Sequence, residues 1–484
     1  MVSNKPPLFS LIIKFFDVKF LLLSVIFLIS SSCATYYQKN IKFNNFYVNG
    51  NFKSAEGILD KNKKAANRNA KLIYYMNRGM VEAMQSKYIE SNNSFEEAYK
   101  LADNYHTNYL NESAALLLNS DVVEYKGEDF EVLYINYYKA LNYLKLGQKQ
   151  DALVECRRLN NRLNVINDKH QGKNTFQRDA YIHLIMGLVY ESNEEYNNAF
   201  IAYRNAVEIY DQDYTKHFNV SAPLQLKKDL LRTAYLSGMG DQVTFYEKQF
   251  NLNFDKSQLK QGPEIVFLWQ SGMCPVKDEW SINFTIIPGN NGFVTFTNAE
   301  LGISIPFAMS QEEYRQNRLS DLQFIRVAFP KFVERVPIFT QANISLNGNE
   351  YSLQMAEDIN AIAFKSLKDR MLLQMGKTLL RVALKKAGEY ALRKENENAG
   401  MVLGLFNALT EKADTRQWSI LPHSIYYSRI PLQEGNQKIL FSYKNNLTNT
   451  QQKFDIEVIG KKNEMTFHTF STLDVANPNR TSGY

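Results

Sequence analysis

The sequence predicts an α+β protein: an all-α solenoid comes first, and a β-rich α+β domain carrying a long helical hairpin follows. Three observations predict it. Between about residue 40 and residue 250 the apolar residues recur at three and four, with Pro223 the one proline. From Gly262 the texture changes to alternation with β-branched residues and Gly-rich turns. Ahead of both, residues 1–32 have the makeup of an export segment rather than of a folded element.

That first segment places Lys5, Lys14 and Lys19 before an apolar stretch, Phe20 to Ile29 with Ser24 inside it, and then Ser30-Ser31-Ser32-Cys33. A basic region, a short apolar run and small residues before a cut describe a signal peptide, and the run is shorter than the ~20 residues that span a bilayer. Cys33 after small residues resembles the lipobox of bacterial lipoproteins, although Ser30 stands where Leu is usual. The resemblance implies cleavage before Cys33, a lipid on its thiol, and a tether over 33–42. An uncleaved signal anchor is the alternative. Ala34-Thr35-Tyr36-Tyr37-Gln38 puts no Asp beside the cysteine and no acidic cluster after it. By the same resemblance the chain hangs from the outer membrane and faces the periplasm.

Loss of the signal removes Lys5, Lys14, Lys19 and Asp17, so the formal charge falls from +6 to +4. So mild an excess does not point to nucleic acid, which needs a clustered basic face. The mature length suggests two or three domains with real cores. After lipidation only Cys156 and Cys274 remain; they fall in different predicted domains and are expected as two buried thiols rather than a pair.

Within residues 43–255 one unit stands out: Met186-Gly187-Leu188-Val189-Tyr190, then Tyr196, Ala199, Tyr203 and Ala206. It resembles the tetratricopeptide repeat (TPR), a helix-turn-helix of about 34 residues with small residues where its helices touch. The solenoid is therefore expected to be TPR-like. Gly187 and Ala199 would admit close approach, with Tyr190, Tyr196 and Tyr203 beside them. Shifted copies run through Ala140, Tyr143, Gly147, Ala152, Cys156 and Leu159, and through Gly79, Tyr88, Ser91, Phe95 and Ala98. Phe46, Gly50, Phe52, Ala55 and Leu59 form a degenerate first unit. Gly50, Ser86, Gly147 and Glu194 are the equivalent turn residues, with insertions at 104–130 and 167–178. Leu224 to Phe250 adds a final pair, interrupted at Gly238-Met239-Gly240. Such a stack usually offers a groove to a partner; the plainer alternative is a collar packed on the second half.

Across residues 262–474 short strands are predicted at Glu264–Trp269, Ser281–Ile287, Phe293–Thr297, Ile303–Phe307, Gln323–Phe329 and Ile344–Leu346. Ala356 to Lys394 reads as helix. Strands resume at Ser424–Ile430, Lys438–Tyr443, Phe454–Ile459 and Met465–Phe470, before a tail at 475–484. The boundary between the halves is expected near Phe254 to Gln261.

Two runs in this half carry a second resemblance. Glu264 to Trp269 followed by Gly272-Met273-Cys274-Pro275-Val276-Lys277 has the form of a strand and then G-x-x-P-x-K. Val327-Ala328-Phe329-Pro330 follows, then Ala413-Asp414-Thr415-Arg416-Gln417-Trp418 with Leu421-Pro422, and Arg429. Together they resemble a poorly characterised family of bacterial lipoproteins that join tetratricopeptide-like repeats to such a C-terminal region. The resemblance implies an envelope location and no reaction. Pro275, Lys277, Asp414, Thr415, Arg416, Trp418 and Arg429 are the candidate cluster, either functional or fixing the helix-to-strand junction.

Other chemistry is thin. The histidines have no metal-ligand spacing, no nucleophile elbow occurs, and no cofactor or metal is expected. Met375-Gly376-Lys377-Thr378 imitates the end of a phosphate loop but lies mid-helix, and Met371 stands where the first glycine belongs. Cys274 beside Lys277 is an accidental neighbour rather than an activated thiol. Arg370, Lys377, Arg381 and Lys385 form one basic stripe on the long helix, a solvated face or a contact for lipid headgroups or anionic cell-wall polymer. Ala399 to Phe406 is apolar with close glycines but too short to span.

The expectation is thus a non-enzymatic, lipid-anchored scaffold whose repeats bind envelope proteins. An activator of peptidoglycan synthesis is one alternative. A wall-modifying hydrolase using Asp414 or Glu411 is the other.

Overall fold

The computed structural model describes residues 34–107, 123–170, 178–259, 262–288, 293–309, 312, 315, 322–395 and 412–474. Helix and sheet are mixed, with the N-terminal region helical. Cys33, Glu411, the 399–406 run and the tail lie outside the described residues, and where a helical hairpin is expected the described residues form one continuous helix, Ile359–Glu395.

Among the described residues the longer helices of this region pair as five hairpins: α1 (Ile41–Val48) with α2 (Phe52–Lys61), α3 (Lys71–Met84) with α4 (Tyr88–Thr107), and α5 (Asp129–Lys145) with α6 (Lys149–His170). Then come α7 (Ala180–Ser192) with α8 (Tyr196–Ile209), and α9 (Leu224–Leu236) with α10 (Gly240–Phe250). All five turn by one backbone device. Gly50, Ser86, Gly147, Glu194 and Gly238 are left-handed, with φ between 59° and 73°. The next amide then reaches the carbonyl five residues back: Asn51 to Phe46, Lys87 to Glu82, Gln148 to Tyr143, Glu195 to Tyr190 and Met239 to Ala234, at 2.8–3.0 Å. Such a bond satisfies a carbonyl that the helix end would leave orphaned. The first four turn residues are those aligned from sequence.

The same register governs packing. Ala55, Ser91, Ala152, Ala199 and Val243, each five residues past its turn residue, are all buried. In two of the pairs a glycine of the first helix admits a ring of the second: a Cβ on Gly187 would lie 2.3 Å from the Tyr203 ring, and one on Gly79 2.8 Å from Phe95.

The strands are β1 (Glu264–Ser271), β2 (Val276–Pro288), β3 (Phe293–Asn298), β4 (Ile303–Ala308), β5 (Phe324–Val333) and β6 (Phe339–Leu346). They continue with β7 (Asn349–Ser352), β8 (Gln354–Asp358), β9 (Ser424–Pro431), β10 (Gly435–Asn445), β11 (Gln451–Gly460) and β12 (Met465–Thr472). One sheet runs β12-β1-β9-β8, with β12 parallel to β1, and a second runs β11-β10-β6-β7. Their facing sides share a core that includes Ile265, Phe267, Trp269, Ile344, Tyr426 and Phe441. The alternate residues Val266, Leu268 and Gln270 are buried on the opposite face, where Gln270 Nε2 donates to the Tyr137 hydroxyl of α5 (3.4 Å). A strand covered on both faces has no polar side to show, which is why β1 reads as an apolar run.

Strand β8 corrects the helix predicted from Ala356. The long helix α11 spans Ile359–Glu395, and Ala356 stays extended because β8 pairs with β9 through a bulge between Met355 and Glu357. The Tyr210 hydroxyl donates to its carbonyl at 2.6 Å. Tertiary pairing overrides local propensity there.

The chain divides into two compact units, and the division does not follow the change of texture at Gly262. One unit holds Ile41–Asp278, Lys331–Met375 and Arg416–Tyr484, so the hairpins and the first two sheets belong together. The other holds Met1–Asn40, Glu279–Pro330 and Gly376–Thr415. In this second unit a sheet of order β4-β3-β2-β5 buries Phe284, Ile286, Val294, Phe296, Val327 and Phe329. Gly376 of α11 lies against Phe307, its Cβ position 3.3 Å from the ring. The segment expected as a tether is folded: Thr35 caps a helical turn, Tyr36–Lys39, and the Tyr36 amide donates to Thr415 Oγ1 at 2.9 Å.

Candidate functional site

The two motif runs of the second half meet. Gly272 turns the chain after β1 with φ +64°, and a Cβ there would lie 2.8 Å from Pro337. The Cys274 amide then donates to Leu421 O (2.8 Å) and the Lys277 amide to Gln417 Oε1 (2.9 Å), while Gln417 Nε2 donates to Pro275 O (2.6 Å). Segment 272–277 is thereby clasped to segment 416–421. Arg335, 1 % exposed, donates from Nε to Cys274 O at 2.7 Å and from Nη2 to Ser419 O.

The clasp is tied to the hairpins. The Lys277 ammonium pairs with Glu128 at the start of α5, both buried, and lies 5.7 Å from the Phe332 ring centre. Trp418 is fully buried, its amide donating to Glu131 Oε1 (2.8 Å) and its ring edge-on to Phe95 and Tyr138 at 5.9 and 6.0 Å. Arg416 donates to the carbonyls of Asn69 (3.0 Å) and Val123 (2.8 Å) and covers the Tyr125 ring. Buried cations persist only when so paired.

Arg429 is elsewhere. On β9 it bridges Glu191 of α7 (2.8 Å), Asp229 of α9 (3.3 Å) and Glu264 of β1, and Arg232 binds the same Glu191 and Asp229 at 2.7 Å each. The Tyr427 hydroxyl also donates to Asp229. Burial pushes the Glu191 carboxyl up, but the guanidiniums of Arg232 and Arg429 overcome it and hold it down at about 2. Lys277 and Arg429 therefore do not share a face; each has its own acidic partners.

Asp414 and Thr415 belong to the other unit, where Thr415 receives the Tyr36 amide and the Ala413 amide donates to Glu279 (2.7 Å). Cys156 and Cys274 are free and buried, and burial pushes the Cys274 thiol up to about 12, which disfavours a nucleophilic thiolate. Among the described residues no group of three or more His, Cys, Asp or Glu side chains is placed to hold a metal. No described helix is long and apolar enough to cross a membrane. On α11, Arg381 and Lys385 are half-buried rather than solvated. The side chains of Arg370 and Lys377 lie outside the described residues. In the α7–α8 hairpin Gly187, Ala199, Tyr203 and Ala206 are interior, and Tyr190 and Tyr196 half-buried.

Sequence reasoning missed the acidic partners Glu128, Glu131, Glu191 and Asp229. The available signal was a carboxylate inside a helix that is otherwise apolar, as Glu191 is in Ala180–Ser192. Tyrosines of the hairpins meet the chain's own strands: Gln270 of β1 donates to the Tyr137 hydroxyl, and the Tyr210 hydroxyl donates to the Ala356 carbonyl of β8. What stays open is a repeat position on the other side. Val154, Ile201 and Phe245 stand seven residues past Gly147, Glu194 and Gly238 and are 42, 38 and 57 % exposed.

No protein-family model and no curated protein matches the chain. Among solved structures it is similar to two described as crystal structures of MamA, at 15 and 14 % identity with a TM-score of 0.27 each. Those matches cover 42 and 43 % of this chain and 90 and 85 % of the others. A third is BtubC (BKLC) from P. vanneervenii, at 13 % identity and a TM-score of 0.29, covering 48 % of this chain and 92 % of that one.

Proposed function

We propose that this chain is a scaffold of the bacterial cell envelope, held at the outer membrane by a lipid on Cys33 and facing the periplasm. Its hairpins form a TPR-like array that binds partner proteins. The observation that carries the binding reading is the recurrence of an exposed apolar side chain at one repeat position, Val154, Ile201 and Phe245, on three successive second helices. Solvent-facing apolar residues in register mark an interaction surface more than scattered ones do. The motif residues support the scaffold reading in another way. Lys277, Arg416 and Arg429 are engaged with Glu128, backbone carbonyls and Glu191, so they brace the hairpins rather than wait for a substrate.

Cross-linking in native membranes tests this, comparing the full chain with Val154→Asp/Ile201→Asp/Phe245→Asp. The native chain should capture a specific envelope protein that the triple variant loses at unchanged melting temperature. A folded, lipidated chain with no partner sensitive to the triple variant would sink the reading.

A further inference from the structure

A cleft of about 830 Å³ runs along β12, the outer strand of its sheet. On one side are the hairpin ends around Gly50 and Ser86 with Met80, Met84, Leu141 and Lys145; on the other are Tyr443, Phe454 and Phe470. All of these residues belong to one compact unit. Among the described residues β12 has β1 as its one strand neighbour. The carbonyls of Glu464 and Thr472 accept from Glu264 and Gly272, so the even-numbered residues between them face β1. In a parallel ladder the intervening residues, Phe467, Thr469 and Ser471, direct their N–H and C=O groups away from β1. An unpaired strand edge beside an apolar wall is a template for another strand.

Two polar groups show what such a strand would bring. Thr469 Oγ1 is shielded from solvent and has no hydrogen-bond partner among the described residues. Lys145 lines the cleft, has no carboxylate partner among the described residues, and is partly desolvated, which lowers its ammonium to about 8. Every buried cation of the clasp has an anion or carbonyls; Lys145 has neither among the described residues.

We propose that the β12 edge takes up an extended peptide as an added strand, with an anionic group of that peptide, a C-terminal carboxylate or an acidic side chain, against Lys145. Backbone bonds to Phe467, Thr469 and Ser471 supply affinity, and the apolar walls accept alternate side chains. This site is separate from the Val154–Ile201–Phe245 row and does not depend on it.

The probe is a displayed library of random decapeptides with free C-termini, selected on the full mature chain, with hits resynthesised as free acids, C-terminal amides and Glu/Asp→Gln/Asn versions. Selection should enrich alternating apolar peptides that lose roughly tenfold or more in affinity against Lys145→Met. Loss on C-terminal amidation would assign the terminal carboxylate, and loss on Gln/Asn replacement an acidic side chain. Thr469→Pro should abolish binding at unchanged melting temperature, because proline removes an N–H aimed away from β1. No enrichment, hits indifferent to both Lys145→Met and Thr469→Pro, or displacement of a bound fatty acid in place of peptide uptake would overturn the proposal. If Thr469→Pro fails to fold, Lys145→Met decides alone.

Discussion

Arg429 shows how a single side chain can matter without touching a ligand. It is 5 % exposed and stands between Glu191, Asp229 and Glu264. Arg429→Met should therefore cost about 3–5 kcal/mol in urea unfolding, since it strands carboxylates in a buried site. The acid limb has a defined sign. Glu191 ionises at about 2 in the folded chain against 4.5 unfolded, so its contribution is complete above pH 4.5 and is lost as pH falls toward 2. Asp179 does the reverse. Burial raises its carboxyl from 3.8 to about 6, so the folded state binds the proton more tightly, and stability falls as pH rises from 3.8 to 6. Asp179→Asn keeps an acceptor for the Ile182 amide and should stabilise the chain by roughly 1–3 kcal/mol at pH 7. That gain should vanish below pH 4 when melting is followed across pH. Neither residue was legible as special in the sequence: Arg429 ended a motif without showing its partners, and Asp179 belongs to no motif at all.

At the scale of elements the hairpin turn is the repeated device, and it was legible. Gly50, Ser86, Gly147 and Glu194 could be aligned because the small and large residues around them keep one register. The structure adds that all four, with Gly238, are left-handed. Ser86 and Glu194 hold that conformation with a side chain, at φ 59° and 61°, which costs an L-residue roughly 1–2 kcal/mol. Ser86→Gly and Glu194→Gly should raise the melting temperature, the gain trimmed by the greater freedom of glycine in the unfolded chain. Gly147→Ala, with open space around it, should lose only the backbone preference, about 1 kcal/mol. Gly187→Ala meets the Tyr203 ring and should lose about 2 kcal/mol or more. Strand β8 was not legible, because Ala356 has no local reason to stay extended; β9 and Tyr210 supply it from afar.

In the whole molecule the decisive contacts join residues far apart in the chain. Arg416 reaches back 347 residues to Asn69, Lys277 149 to Glu128 and Arg429 238 to Glu191. No periodicity within a window of twenty residues can register such a pair, so the sequence showed two textures where the structure has hairpins and two sheets in one compact unit. The consequence is thermodynamic. Unfolding the hairpins exposes the outer face of β1, and removing the sheets leaves Tyr137, Tyr210, Glu191 and Asp229 without cover. Elements that depend on each other in this way should melt together. Far-UV circular dichroism, dominated by the helices, and fluorescence of Trp269 and Trp418, isolated by Trp280→Phe because Trp280 lies in the other unit, should trace coincident transitions. Residues 34–255 expressed alone should then fail to give a monomeric, cooperatively melting protein, since they retain the carboxylates of Glu128, Glu191 and Asp229 but lose Lys277 and Arg429. A truncated array that melts cooperatively as a monomer would show instead that the sheets merely rest on an autonomous solenoid.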